Sequence, residues 1–214
     1  MSEARQRGVG RPPAGGEDKR QRILDEASDV FATDGYEASS LDQIARRARI
    51  SKAGLLHHFG SKVALYSAVL EQWDGQNQDQ WTPSEEPWDF LDSWVDLAVR
   101  NERRPETIAL YTSLLPSVMN PDHPAHGWMR AHLERAVELI ASGFEEGKRR
   151  GYVKADAPSI ELARSVTAYS DGIQVLWLCQ LSARDGQESG VELPMNLAEQ
   201  MRIFIDMIKR SWGI

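Results

Sequence analysis

The chain has 214 residues, and 25 Lys and Arg against 32 Asp and Glu give it a net charge of -7, with 41% hydrophobic residues. That length supports a substantial core in one or two domains. No stretch reaches the roughly 18 apolar residues of a membrane span, and the polar, Arg-containing N-terminus has no apolar segment behind it, which argues against a secretory signal.

The single cysteine, Cys179, makes no internal disulfide and fits a reducing cytoplasm. The charge is unevenly divided. Residues 1–62 carry 11 Lys and Arg against 9 Asp and Glu, whereas the remainder carries 14 against 23. A weakly basic head on an acidic body turns the head toward a polyanion.

Residues 1–16 read as a flexible arm, rich in Gly and Pro, with Arg5, Arg7 and Arg11. Gly10-Arg11-Pro12 has the form of a minor-groove hook; a merely solvated tail is the other reading. A first helix is predicted from Glu17 to Asp34, with Ile23, Ala27, Val30 and Phe31 inward and Gly35 as a left-handed cap. Ser40 with Gln43 three residues on opens a second helix as a capping box. Leu41, Ile44, Ala45 and Ala48 make its apolar stripe. Ser51 caps a third, short helix that turns Leu55 and Phe59 inward.

A fourth helix, from about Lys62 to Gln76, places Leu65, Tyr66, Val69 and Trp73 inward. The polar stretch from Gln76 to Pro87, broken by Pro83, reads as a loop. Further helices are expected near 88–103, 105–118, 123–150, 158–184 and 194–211, because Pro105, Pro121, Pro158 and Pro194 fall at or just before helix starts. No alternating strand pattern survives. The expected fold class is all-α: an arm at 1–16, a three-helix helix-turn-helix domain at 17–62, and a helical regulatory domain at 63–214.

The third helix carries the chemistry. Its outer face presents Lys52, Ala53, Gly54, Leu56, His57 and His58. Lys52 sits in the first turn, where the helix dipole disfavours a cation, and Gly54 costs about 1 kcal/mol relative to Ala. Locally unfavourable choices of this kind cluster at functional positions. A helix start with small residues, a cation and imidazoles suits close approach to nucleic-acid phosphates and base edges. Ser40, Gln43, Ser51 and Lys62 flank that face and complete the candidate DNA-binding set. Two packed surface helices of an ordinary all-α protein are the plainer alternative.

Other chemistries fail on inspection. The chain has no nucleophile elbow, no phosphate-cradling glycine loop and no His-Glu-x-x-His pair. Asp122-His123-Pro124-Ala125-His126 sets two imidazoles at a spacing that can share a metal. The simpler reading makes Asp122 an N-cap with Pro124 in the first turn. No metal, no cofactor and no enzymatic role is expected.

Residues 19–73 resemble the DNA-binding domain of the tetracycline-repressor (TetR-like) family of bacterial transcription regulators. The matching runs are Ile23-Leu24-Asp25-Glu26-Ala27, Phe31-Ala32-Thr33-Asp34-Gly35-Tyr36 and Ser39-Ser40-Leu41-Asp42-Gln43-Ile44-Ala45. They continue through Ile50-Ser51-Lys52-Ala53-Gly54-Leu55-Leu56-His57-His58-Phe59 and Ser61-Lys62-Val63-Ala64-Leu65. Leu56 stands where the family often has tyrosine, Gly54 where a hydroxyl or small side chain is usual, and Ala64 where an acidic residue commonly completes a cap.

The resemblance implies a homodimer on double-stranded operator DNA, released by a small organic effector. The last two helices offer Ile160, Ala163, Val166, Ile173 and Trp177, and Leu197, Met201, Phe204, Ile205 and Ile208, either to their own core or to a symmetry mate. The family's apolar cavity implies effector contacts among Trp88, Trp94, Tyr111, Met119, His123, Trp128, Met129, Tyr169, Asp171, Gln174 and Trp177. Two functions therefore stand: a ligand-released repressor, or a helical binding module whose head contacts a protein.

Overall fold

The computed structural model describes residues 14–78, 86–181 and 195–214, the side chains of 14–18, 74 and 76–78 excepted. The hook at Gly10-Arg11-Pro12, Pro83 and Pro194 lie outside these residues. The described chain is helical, with α1 (Ala14–Ala38), α2 (Leu41–Arg47), α3 (Lys52–Phe59), α4 (Lys62–Gln78), α5 (Asp89–Glu102), α6 (Pro105–Leu114), α7 (His126–Arg150), α8 (Ser159–Leu181) and α9 (Leu197–Trp212). A 3-10 turn, Leu115–Met119, follows α6. One isolated bridge, Val153 to Gly213, is the extent of β pairing among the described residues.

Two compact units part at Val69–Leu70, later along the chain than the division expected at 62/63. The reason is packing: Leu65, Tyr66 and Val69 of α4 are buried, and the Tyr66 ring lies edge-on to Phe31 at 4.8 Å and against Tyr36 at 4.7 Å. In the first unit, Ile23, Ala27, Val30, Phe31, Ile44, Ala48 and Leu55 are all shut from solvent, as the helical spacing requires. Gly35 does take a positive φ, at 73°, but with ψ at 173°, so it kinks α1 instead of capping it.

In the second unit α7 packs on α8 and α5 on α9 around one core. Pro105 opens α6 as expected. α7 departs from expectation. It starts at His126, and Asp122 caps nothing. Asn120 Oδ1 accepts the Asp122 amide at 3.1 Å, and His123 Nδ1 accepts the Ala125 amide at 3.1 Å. The Asp122–Ala125 turn is therefore a non-helical lead-in tied to its own backbone.

Candidate nucleic-acid interface and effector cavity

α2 and α3 are set by two serine caps. Ser40 Oγ accepts the Gln43 amide at 3.2 Å, and Ser51 Oγ accepts the Gly54 amide at 3.0 Å. The capping box is only half formed. The Gln43 side chain is drawn toward α1 instead, its Nε2 donating to Asp34 Oδ2 at 2.6 Å in a charge-assisted bond. Between the helices Arg49 sits at φ 54°, a left-handed turn position that a non-glycine residue occupies at a cost of about 1–2 kcal/mol.

Leu55 and Phe59 are the buried residues of α3, and Ser51, Lys52, Ala53, His57 and His58 are exposed, with Gly54 and Leu56 half-buried. A Cβ on Gly54 lies 3.2 Å from the capping Ser51 Oγ, so glycine keeps the cap unstrained at the α3 start. Not all the cations on this unit are available to phosphate. Lys52 Nζ meets Asp42 Oδ2 at 2.7 Å. Arg47 pairs with Glu26 and Asp29 at 2.7 and 3.0 Å, and Arg22 donates to the Ala48 carbonyl. Lys62 lies over the Tyr36 ring, 4.4 Å from its centroid, and reaches the Glu37 carbonyl at 3.4 Å. Its ammonium is thus held beside the head's own core.

The second unit contains a cavity of about 690 Å³. One wall is a stripe of α5 with Ser93, Trp94, Leu97, Arg100 and Asn101. The opposing polar stripe, Thr167, Ser170, Asp171 and Gln174, repeats at i, i+3, i+4 and i+7 along α8. Tyr111 donates its hydroxyl to Asp171 Oδ1 at 2.9 Å. Burial pushes the Asp171 carboxyl above its ordinary range, against the Tyr111 bond and the nearby His132, which pull it down. Burial likewise drives the Tyr111 phenol far up. Trp73 stacks on Tyr111 at 5.0 Å, and Trp128 stacks on His132 at 5.1 Å.

Of the effector residues expected from the sequence, Trp94, Tyr111, Asp171 and Gln174 line this cavity. Trp128 backs its aromatic wall. The others lie elsewhere. Trp88 packs into the core against Phe90, Phe144 and Tyr152, and Trp177 and Met129 are buried in the interior. Met119 is 85% exposed. His123 serves its own turn. Tyr169 donates to the Gln200 carbonyl and stacks on Phe204 at 4.1 Å, facing α9.

Size and aromaticity mark a core residue as readily as a pocket residue, which explains these misplacements. Sequence reading passed over Arg100, Asn101, Thr167, Ser170 and His132. The polar stripe on the apolar helix α8, and His132 one turn from Trp128, were the available signals.

The helices α8 and α9 turn most of their expected seam residues inward. Ala163, Val166, Ile173, Trp177, Leu197, Met201, Ile205 and Ile208 are core, while Ile160 stays exposed and Phe204 half-buried. The outward faces carry a different apolar set: Val175, Leu176, Ile203 and Met207 are each 42% exposed or more. Ala168 and Gly172 are also exposed.

A family model described as "Bacterial regulatory proteins, tetR family" matches residues 23–69. The chain is similar to the HTH-type transcriptional activator FasR of Mycolicibacterium smegmatis, 42% identical over 32% of this chain and 35% of that protein. It also resembles the A-factor receptor protein of Streptomyces griseus, 27% identical over 72% of this chain and 53% of that one. With RutR of Escherichia coli it shares 48% identity over 25% of this chain and 26% of the relative.

The matches thus span about a quarter to a half of these relatives' lengths. A TetR transcriptional regulator structure from Chloroflexus aurantiacus superposes with a TM-score of 0.75 at 16% identity, over 94% of this chain and 100% of that one. At that identity the likeness speaks for the fold.

Proposed function

We propose, from the match of residues 23–69 to the tetR family of bacterial regulatory proteins, that the chain is a homodimeric transcriptional repressor that binds double-stranded operator DNA and leaves it when a small organic effector fills the second unit. The observation that carries this reading is α3: a Ser51-capped helix with only Leu55 and Phe59 buried and its remaining face open. Such an open face matches a helix that enters the major groove by its N-terminal residues. Ser40, Gln43, Ser51, Lys52, Ala53, Gly54, Leu56, His57, His58 and Lys62 are the proposed contact set, with Lys52 and Lys62 exchanging Asp42 and the Tyr36 ring for phosphate on binding.

The apolar residues left on the outside of α8 and α9 support the dimer. Leu176 and Met207, 58% and 59% exposed, suit a two-fold four-helix seam. Gly172, with open space around its Cβ direction, suits close helix approach. The cavity, with aromatic walls and a few polar groups, supports effector binding. One relative is named an activator, so the sign of regulation is tested directly.

Gel retardation of the DNA upstream of its own gene should give a complex with near-palindromic protection. Half-site centres should lie about one helical turn, or a small multiple, apart. Reporter expression from that promoter should rise when the gene is deleted. Leu176→Glu should sediment as a monomer and lose the complex. A footprint without dyad symmetry, or full binding by the monomer, overturns the dimeric operator reading and leaves the protein-partner alternative.

A further inference from the structure

The cavity walls are mostly apolar, yet two of their polar groups are unmet. Arg100 Nε and Gln174 Oε1 are closed to solvent and find no hydrogen-bond partner among the described residues. A buried, unpaired donor on a charged group is among the more costly omissions in a fold, and such exceptions call for a reason. Both groups line the same cavity, Arg100 from the last turn of α5 and Gln174 from α8. Gln174 now donates to Ser170 Oγ at 3.3 Å. Turning its amide over, with the Ser170 hydroxyl donating instead, leaves an amide N–H in place of the unmet carbonyl oxygen. A guanidinium and an amide, both on residues that line the cavity, are then left as donors for an acceptor-rich group.

We propose that the effector is an amphipathic organic anion whose carboxylate is held by Arg100 and Gln174, with its apolar body against Trp94 and Leu97. The proposal rests on the second unit being the effector-binding part. Asp171 is the competing anchor, for a cation. Its carboxylate is already engaged by the Tyr111 hydroxyl at 2.9 Å and lies in the field of His132. Glu138, also at the wall, is exposed. Arg100 has no acidic partner among the described residues. The uncompensated charge at this wall is therefore positive, and an arginine fork matches a carboxylate in geometry as well as sign.

Calorimetric titration of the full chain with decanoate, decanol and decyltrimethylammonium holds the tail fixed and varies the head. Decanoate should bind about tenfold or more tighter than either of the others. Arg100→Gln should weaken decanoate by about ten- to hundredfold and decanol by less than about threefold. Arg100→Lys, which keeps the charge without the fork, should recover part of the loss. A thermal melt establishes that each variant is folded; if Arg100→Gln is not, the head-group ranking on the wild-type chain decides.

Tightest binding of decyltrimethylammonium overturns the proposal in favour of Asp171 and the aromatic wall. Equal binding of all three, or no heat from any, also overturns it. DNA retardation by the same preparation is scored separately. Decanoate binding without DNA binding sinks the regulator reading alone, and DNA binding without a decanoate preference sinks this proposal alone.

Discussion

Lys52 Nζ rests 2.7 Å from Asp42 Oδ2, joining the first turn of α3 to the first turn of α2, with the two side chains 50% and 62% exposed. At that exposure the pair contributes at most about 1 kcal/mol. Its main effect is to park the cation that a phosphate would claim. Asp42→Asn should raise operator affinity about two- to tenfold by removing a negative charge from the interface, with stability changed by less than about 1 kcal/mol. Lys52→Ala should weaken binding evenly across sequences and lower the salt slope by about 1 per subunit. Fluorescence anisotropy over a salt series measures both; weaker binding by Asp42→Asn would show that the carboxylate is needed at the contact.

Two glycines should behave in opposite ways. A Cβ on Gly143 lands 2.3 Å from Phe90 Cδ2, so α5 and α7 cannot keep their spacing around an alanine there. Gly143→Ala should cost about 1–3 kcal/mol by overpacking. Gly172 has nothing within 4 Å, so Gly172→Ala should add up to about 1 kcal/mol of helix stability to the subunit while weakening dimerisation. Urea midpoints and sedimentation separate the two effects. Gly143→Ala as stable as wild type would mean that Phe90 has room to move.

Asp171 makes stability depend on pH. Its folded-state pKa is raised, chiefly by burial, so the folded chain holds this proton to a higher pH than the unfolded chain does. The associated stability is fully present below the unfolded value, about 3.9. It is lost as pH rises through the folded pKa, above which the buried charge is carried at full cost. Asp171→Asn can still accept from Tyr111, and it should melt higher than wild type at pH 7. That advantage should shrink toward zero as pH falls to about 4. Parallel melting curves at every pH would refute the assignment.

Trp73 belongs to α4, the helix within which the units part, and lines the cavity. An effector shifts DNA affinity only by its differential affinity for two arrangements of the chain. A hundredfold release needs about 2.7 kcal/mol of coupling, within the common range. Trp73→Ala should reduce that coupling more than it reduces either binding event alone. Effector affinity measured with and without operator, in both proteins, gives the coupling directly. An unchanged ratio in the folded variant would dismiss α4 as transmitter.

The head was legible because its signals are local. Serines three residues ahead of a free amide, and apolar residues at helical spacing, fix α2 and α3 without reference to anything distant. The misplaced cavity residues share one cause. Periodicity says which face of a helix turns inward but not what fills the space it faces. Trp88 and Trp177 became core, whereas Thr167 and Ser170, absent from the expected contacts, border the void. Asp122 failed as a cap because Asn120 and His123 took over the turn's hydrogen bonds. Gln43 turned from Ser40 to Asp34, nine residues away, a partner that a local motif cannot register.

The indoles of Trp73 and Trp128 lie 5.6 Å apart and are inclined at 71°. Two identical chromophores so close and so far from parallel share their excited states, and the shared states absorb left- and right-handed light unequally. The native chain should therefore show a paired positive and negative band in circular dichroism, absent from either single Phe substitution. That couplet reports the arrangement of the cavity wall without any label, and its collapse marks the moment either ring turns away.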